Sequence, residues 1–283
     1  MKIAILADSG CQLLGGKGIY IAPLTITIDG KGYLDNKEIT SLEVFEKMEK
    51  EDVQVMTSQP ATGIIQEVVE QIKADGYEHI IALAIGTGLS STLNGMKLAC
   101  DLLDMPVTLI DTKGTARNHA YLVETASELV KENKSVEEIK TILEDLVEHS
   151  CTMITVSDLK QLKKGGRVTP AVAALAGLLK IVPVMKLNNE LGGKIDTFDK
   201  VRTFKKANLK IVDHFINDCK VNGQEYVFAI EHVLCENMAN QMKELLIEKL
   251  GPCDILVREL PAVVGGHMGI GGIGFQYIKK LSY

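Results

Sequence analysis

The sequence predicts an α/β protein in two parts: a mostly parallel sheet with flanking helices, followed by an α+β half. Three observations predict it. Through the first half, short and almost continuously apolar segments alternate with amphipathic ones, the pattern of parallel strands covered on both faces. After about residue 157 that alternation gives way to a hairpin pattern and more widely spaced elements. The length of 283 residues, 46% apolar and 24% charged, suffices for one or two domains with a sizeable core. We therefore expect an N-terminal α/β domain over 1–156 and a C-terminal α+β domain over 157–283.

The elements follow in order. Residues 2–7 read as a buried strand ending at Asp8-Ser9. Residues 20–40 read as short strands and turns, punctuated by Pro23 and Asp29-Gly30. Thr40 and Glu43 have capping-box spacing for a helix reaching about residue 51. Beyond Pro60, the residues Ile64, Ile65, Val68, Val69 and Ile72 share one helical face. Strands are expected at 79–85, 107–110 and 151–156, with helices at 91–103 and 116–133. Ser135 and Glu138 cap a further helix. In the second half, Thr169-Pro170 starts an alanine- and leucine-rich helix, with Thr as N-cap and Pro in the first turn. A hairpin spans 181–198 around Asn188 to Gly193. Helices are expected at 202–218 and 236–250, and strands at 226–232 and 255–260.

Composition excludes several classes of function. A net charge of −6 without a basic stripe argues against a nucleic-acid partner. The six cysteines are at least sixteen positions apart, so no CxxC pair exists, and they read as reduced thiols of a cytoplasmic protein. The apolar start is stopped by Asp8 before it reaches signal-peptide length, and no apolar run is long enough to span a membrane. Gly269 to Gly274 spells GxGxxG but leaves no room for a following βαβ unit, so it is not a dinucleotide site. Gly86 to Thr92 fails the GxSxG elbow, and the scattered histidines give a metal site no support. No metal, cofactor or catalytic signature is expected.

Two hydroxyl-rich turns remain, Thr57-Ser58-Gln59-Pro60 and Gly86-Thr87-Gly88-Leu89-Ser90-Ser91-Thr92. Each precedes a predicted helix, where free N–H groups and the helix dipole favour an anion. They can be ordinary N-caps, or they can hold a small negative group. Gly165-Gly166-Arg167 reads either as a helix C-cap or as an arginine bracing that group with its planar fork. His267, among glycines, is either structural or within reach of a bound group. The run Ala171 to Leu179 is core, or its small side chains leave space for a long apolar ligand.

These motifs, together with Asp8-Ser9 and Gly266-His267-Met268-Gly269, stand in the order and approximate spacing of the DegV family, which the chain resembles over essentially its whole length. The resemblance implies a two-domain DegV-like fold with a long-chain fatty acid bound between the domains, as in the FakB carriers, where a partner kinase phosphorylates the bound acid. It implies no turnover chemistry of the carrier itself. Carried over by position, Thr57, Ser58, Ser90 and Ser91 would meet the carboxylate, supported by Arg167 and His267. The acyl chain would lie near Ala173, Ala174, Gly177 and Leu178. Arg202 would meet the phosphoryl group or the kinase. A transient contact with a membrane surface is compatible with this role.

Two departures stand out. Met268 and Ile270 replace the second and fourth residues of the family's His-Thr/Val-Gly-Pro-Gly, and loss of the proline predicts a less rigid turn. Val182 stands where the family often has lysine before Pro183, removing a cation near the site and weakening the expectation of a kinase partner. The competing reading of the same residues is a phosphotransferase or acyl hydrolase using Ser90 or His267. A further one is a sensor whose docking to a partner depends on lipid occupancy.

Overall fold

The computed structural model describes residues 1–51, 53–177, 181–191 and 193–281. In chain order the first half runs β1 (Ile3–Asp8), β2 (Ile19–Ala22), β3 (Thr25–Ile28), β4 (Lys31–Leu34), α1 (Ser41–Lys50), β5 (Val55–Ser58), α2 (Thr62–Ala74), β6 (His79–Ala84), α3 (Thr92–Leu102), β7 (Val107–Asp111), α4 (Ala116–Lys131), α5 (Val136–Glu148) and β8 (Ser150–Thr155). The second half runs α6 (Lys160–Gly165), α7 (Pro170–Ala173), β9 (Val182–Asn188), β10 (Lys194–Val201), α8 (Phe204–Asp213), β11 (Tyr226–His232), α9 (Glu236–Leu250), β12 (Asp254–Glu259), α10 (Ala262–Met268) and β13 (Ile273–Lys279).

The strands form three sheets. The first, β2-β1-β6-β7, is entirely parallel. The second, β10-β9-β8-β13-β11-β12, is antiparallel except for its last pair. A small antiparallel sheet, β4-β3-β5, completes the set. The parallel strands β1 and β6 are buried almost throughout, as their apolar runs require. Helices α2 and α3 cover one face of the first sheet. Helix α4 touches β1 and β6 on one side and β13 on the other, so it is sandwiched between the two large sheets. Its ten buried positions include Asn118, His119, Thr125 and Ser127, which a one-sided helix would expose. Helices α8 and α9 close the outer face of the second sheet.

Both expected capping boxes are present, with the Thr40 and Ser135 hydroxyls accepting from the Glu43 and Glu138 N–H groups. Thr169 caps α7 with Pro170 in its first turn, and 182–201 is the expected hairpin. The six-residue β8 departs from expectation. It pairs with β9 and β13, so this strand of the N-terminal half belongs to the second sheet. Strand β13 and helix α10 were not anticipated: glycines interrupt both segments and hide their period. The helix expected over 202–218 starts at Phe204 and ends in a π-helical turn, His214–Asp218.

Candidate functional site

The C-terminal ends of β1 and β6 are tied together by one carboxylate. Asp8 accepts the Ile85 N–H at 2.8 Å and the Gly10 N–H at 2.9 Å. Ser9 accepts the Leu24 N–H at 3.0 Å. This frame puts Leu24, Ile85, Leu89 and Ser90 along one wall of a cavity, beyond the ends of the parallel strands where α/β sheets place ligands.

The cavity encloses about 850 Å³ of atom-free space, the solvent at its mouth included. The six-stranded sheet forms its floor, through Leu187, Ile195, Thr152, Ile154, Gly274, Gln276 and Glu231. Leu260, Val263, Val264, His267 and Met268 close it from above. From β10, which carries Ile195, to β11, which carries Glu231, the sheet takes four strand-to-strand steps. At about 4.8 Å each they span about 19 Å, the reach of a long alkyl chain.

Exposure orders the lining. Ser58 and Gln59 are exposed, Thr57, Ser90, Arg167 and His267 are half-buried, and Leu24, Ile85, Ile154, Leu260 and Gln276 are buried. Thus the hydroxyls of Thr57, Ser58 and Ser90, the guanidinium and the imidazole lie toward the mouth, and the buried lining is aliphatic apart from Thr115, Thr152, Glu231 and Gln276. The Thr57 hydroxyl lies 2.6 Å from His267 Nε2. Ser90 Oγ pairs with Thr92 Oγ1 at 2.8 Å and accepts the Thr92 N–H at 3.3 Å. Arg167 donates from Nη1 to the Gly165 carbonyl at 2.6 Å and from Nε to the Leu89 carbonyl at 3.2 Å. Those two bonds use two of its five donors. Its backbone is fixed because Arg167 and Thr169 bracket Ile195 with two backbone bonds, extending the edge of β10.

His267 sits in the last turn of α10, not in a loop. The glycines before it serve close packing. A Cβ on Gly265 would strike the Phe45 ring of α1, and one on Gly266 would meet Val55 of β5. A Cβ on Gly165 would collide with His267 Nδ1. The turn after His267 lacks the family's proline but is held by backbone bonds, with Gly269 donating to Gly265, Gly271 to Val233 and Gly272 to Gly269. Met268 is buried, so the expected looseness of this turn is not found. Burial first, and then the charge of Arg167, lower the His267 pKa to about 4. The ring is therefore neutral at pH 7.

Several predicted residues stand elsewhere. Thr57 and Ser58 end β5 and cap no helix; α2 begins at Thr62 behind Ala61, because Gln59 precedes Pro60 and is held out of the helical region. Ser91 flanks α3 without a side-chain cap, is exposed and lies outside the cavity lining. Thr87 is engaged by Asp111 through both its N–H and its hydroxyl. Ala173 is half-buried, Ala174 and Gly177 are exposed, and none of the three lines the cavity; Leu178 lies outside the described residues. The aliphatic wall comes instead from Ile85, Leu89, Ile154, Leu162, Leu187 and Leu260. Arg202 is exposed and away from the cavity. Val182 is buried against the outer-face core. Ser90 Oγ bonds Thr92 and His267 bonds Thr57, so the two groups of the hydrolase reading do not pair.

A buried polar group at the inner end was missed. Glu231 is fully buried and accepts from Arg258 Nε at 2.8 Å and the Arg117 N–H at 3.1 Å. Burial nonetheless raises its pKa. Beside it Gln276 donates to the Thr115 carbonyl and to Thr152 Oγ1, and accepts the Asn118 N–H. A glutamate within the apolar strand 226–232 and a glutamine within 273–279 were the available signals. Among the described residues no cluster of three potential metal ligands occurs, and no helix is long and apolar enough to cross a membrane.

Fold and site together define an α/β protein of two large sheets and one small one, with a polar-mouthed channel. The family model described as "Uncharacterised protein, DegV family" matches residues 2–280, and the chain belongs to the DegV family. A DegV domain-containing protein of Staphylococcus aureus (strain N315) is 31% identical, with 99% of each chain covered. A crystal structure described as a fatty acid binding DegV family protein from Streptococcus agalactiae superposes with a TM-score of 0.90 at 28% identity, covering 99% of this chain and 100% of the other. A DegV family protein from Thermus thermophilus, described for its fatty acid binding, gives a TM-score of 0.87 at 29% identity, covering 99% and 100%.

Proposed function

We propose that this chain is a carrier that binds a long-chain fatty acid in the channel, between its N-terminal α/β and C-terminal α+β parts. The carboxylate sits at the mouth, with Thr57, Ser58 and Ser90 as hydroxyl donors, and Arg167 and His267 complete the ring of polar groups. The acyl chain follows the aliphatic wall inward. The observation that carries this reading is a cavity whose hydroxyls, guanidinium and imidazole crowd its entrance while its depth is lined mainly by aliphatic side chains, with the hydrogen-bonded Glu231 and Gln276 beside Thr115 and Thr152. The neighbours' described fatty acid binding supports it.

Burying the methylenes of such a chain, at about 0.8 kcal/mol each, supplies a gross driving force on the order of 10 kcal/mol before the entropic costs of association. Affinity therefore comes from the tail, and the mouth fixes orientation. Neutral donors satisfy a carboxylate while leaving it at the surface, where a partner enzyme can reach it. Exposed Arg202 is then free to contact such a partner, of which a kinase acting on the bound carboxyl group is the kind the family resemblance suggests.

The test is organic extraction of the purified protein followed by mass spectrometry, with titration of the delipidated protein by a long-chain fatty acid. Recovery of fatty acid, or saturable binding after stripping, is expected. A protein that carries none and binds none ends the proposal.

A further inference from the structure

On the outer face of the six-stranded sheet, away from the cavity, three titratable side chains meet in one helical turn. Helix α8 ends at Asp213 and continues as the π-helical turn His214–Asp218. In an α-helix, residues five apart point away from each other; the wider π-turn brings them to one side. It is closed here by the Cys219 N–H donating to the His214 carbonyl at 3.0 Å. His214 Nε2 consequently lies 3.5 Å from Cys219 Sγ, while its Nδ1 lies 2.7 Å from Asp218 Oδ2. The carboxylate fixes the tautomer with the proton on Nδ1, so Nε2 is the base facing the thiol. The Phe198 ring, centred 4.5 Å from that of His214, holds the imidazole in place. From the sheet below, Tyr277 of β13 hydrogen-bonds the same sulfur, and Tyr226 of β11 and Cys151 of β8 belong to the same cluster and feel its charge. Cys219 and His214 are half-buried and Asp218 is exposed, so the array opens to solvent.

We propose that Cys219 is a nucleophilic thiol, activated by His214 and Asp218, that exchanges with low-molecular-weight disulfides. His214 Nε2 takes the thiol proton. The Cys219 sulfur attacks one sulfur of the disulfide, a new S–S bond forms as the old one breaks, and the departing thiolate takes the proton back from His214. The net change is a mixed disulfide on Cys219 and one free small thiol. None of the three groups lines the cavity, so this thiol is independent of the ligand site.

The surroundings of the other cysteines differ. Burial pushes Cys11 and Cys151 up to about 12, Cys100 and Cys235 up to about 11, and raises Cys253 as well. At Cys219 burial is the largest influence and acts in the same direction, but hydrogen bonds with His214 and Tyr277 together with the charge of His214 outweigh it and bring the thiol below its ordinary value. Cys253, also half-buried, is thus an internal reference.

The experiment is competitive labelling of the folded full-length protein by iodoacetamide at pH 7, read by peptide mass spectrometry, with a parallel incubation in oxidised glutathione. Cys219 is expected to label about tenfold faster than Cys253 or more, and to carry the glutathione adduct. His214→Asn should bring its rate down to that of Cys253, and Asp218→Asn should lower it part of the way. If His214→Asn does not fold, the exposed Asp218→Asn carries the test alone. Equal labelling of Cys219 and Cys253, no adduct on Cys219, or an unchanged rate in the folded variants overturns the proposal.

Discussion

His267 Nε2 lies 2.6 Å from the Thr57 hydroxyl across 210 positions of sequence, and the pair joins α10 to the end of β5 at the cavity mouth. The imidazole is neutral at pH 7, because burial and then Arg167 hold its pKa down at about 4. Protonating it there costs on the order of 3 kcal/mol relative to water. A carboxylate arriving beside Thr57 reverses that preference, since an opposite charge favours the cation. Ligand binding should therefore take up a proton, weakly at pH 7.5 and increasingly as the pH falls toward 5. Calorimetric titration of a fatty acid in two buffers of different ionisation enthalpy measures the uptake. His267→Asn should abolish it while keeping a hydrogen bond to Thr57. Uptake that persists in this variant would assign the proton to another group. For folding the sign is the converse: the depressed pKa means that stability is lost as the pH falls from about 6.5 toward 4.

Gly165 makes room for that imidazole. A Cβ at this position meets His267 Nδ1 well inside contact distance, and the ring is the part that must move. Gly165→Ala is expected to weaken fatty-acid binding about tenfold, the equivalent of one good hydrogen bond. The measure is a fluorescent fatty-acid displacement assay, with circular dichroism reporting whether α6 persists. Alanine also favours a helix, so an affinity that falls while the helix signal holds locates the damage at the mouth. An unchanged affinity would show that His267 is dispensable for orientation.

Much of this arrangement was legible in the sequence, and what was not had a physical cause. The parallel strands of the first half were readable because burial on both faces leaves uninterrupted apolar runs, as in Ile80 to Ile85. The capping boxes were readable because they are local. Thr57, Ser90, Arg167 and His267 were singled out by residue type and spacing, and the structure gathers them around one opening. Helix α10 was not readable, because Gly265 and Gly266 owe their presence to Phe45 and Val55, partners more than two hundred positions away. The run from Ala171 resembled a tail pocket through its small side chains, yet the channel wall is built of isoleucines and leucines from several separate segments. Small residues alone do not distinguish a cavity from a packed or exposed turn. The sharing of β8 with the second sheet is likewise a matter of tertiary pairing, invisible to local pattern.

Asp35 offers a prediction about stability. It follows β4 and is almost completely buried. Burial pushes its pKa up to about 7, and the nearby charge of Asp8 adds to the rise. The unfolded chain ionises this group near pH 4, so the folded state binds more protons between about pH 4 and pH 7. Over that interval stability falls as the pH rises, and the whole penalty is present above pH 7. Asp35→Asn should remove it. Thermal melts should show the variant more stable at pH 8, by on the order of 2–4 kcal/mol, with the advantage gone by about pH 4. A difference independent of pH would mean that packing of the amide, not ionisation, decides.

Gly274 allows ligand binding to be separated from folding. It lies on the channel floor in β13, between the residues it pairs with, Ile154 and Glu231. A Cβ there would meet only the Glu231 carbonyl and a Leu260 methyl, both at 3.9 Å, an ordinary contact. A larger side chain can therefore be added without moving the backbone, and the space it takes is the channel's. Valine suits a strand better than glycine does, and fixing fewer unfolded conformations adds to the gain. Gly274→Val should thus hold or raise the melting temperature while cutting affinity for a sixteen-carbon acid by about tenfold or more, with shorter acids losing less. Binding and stability moving in opposite directions is the signature of a filled channel. If the variant binds the long acid as tightly as the parent, the acyl chain does not run over this part of the sheet, and the proposed path must turn elsewhere from the mouth.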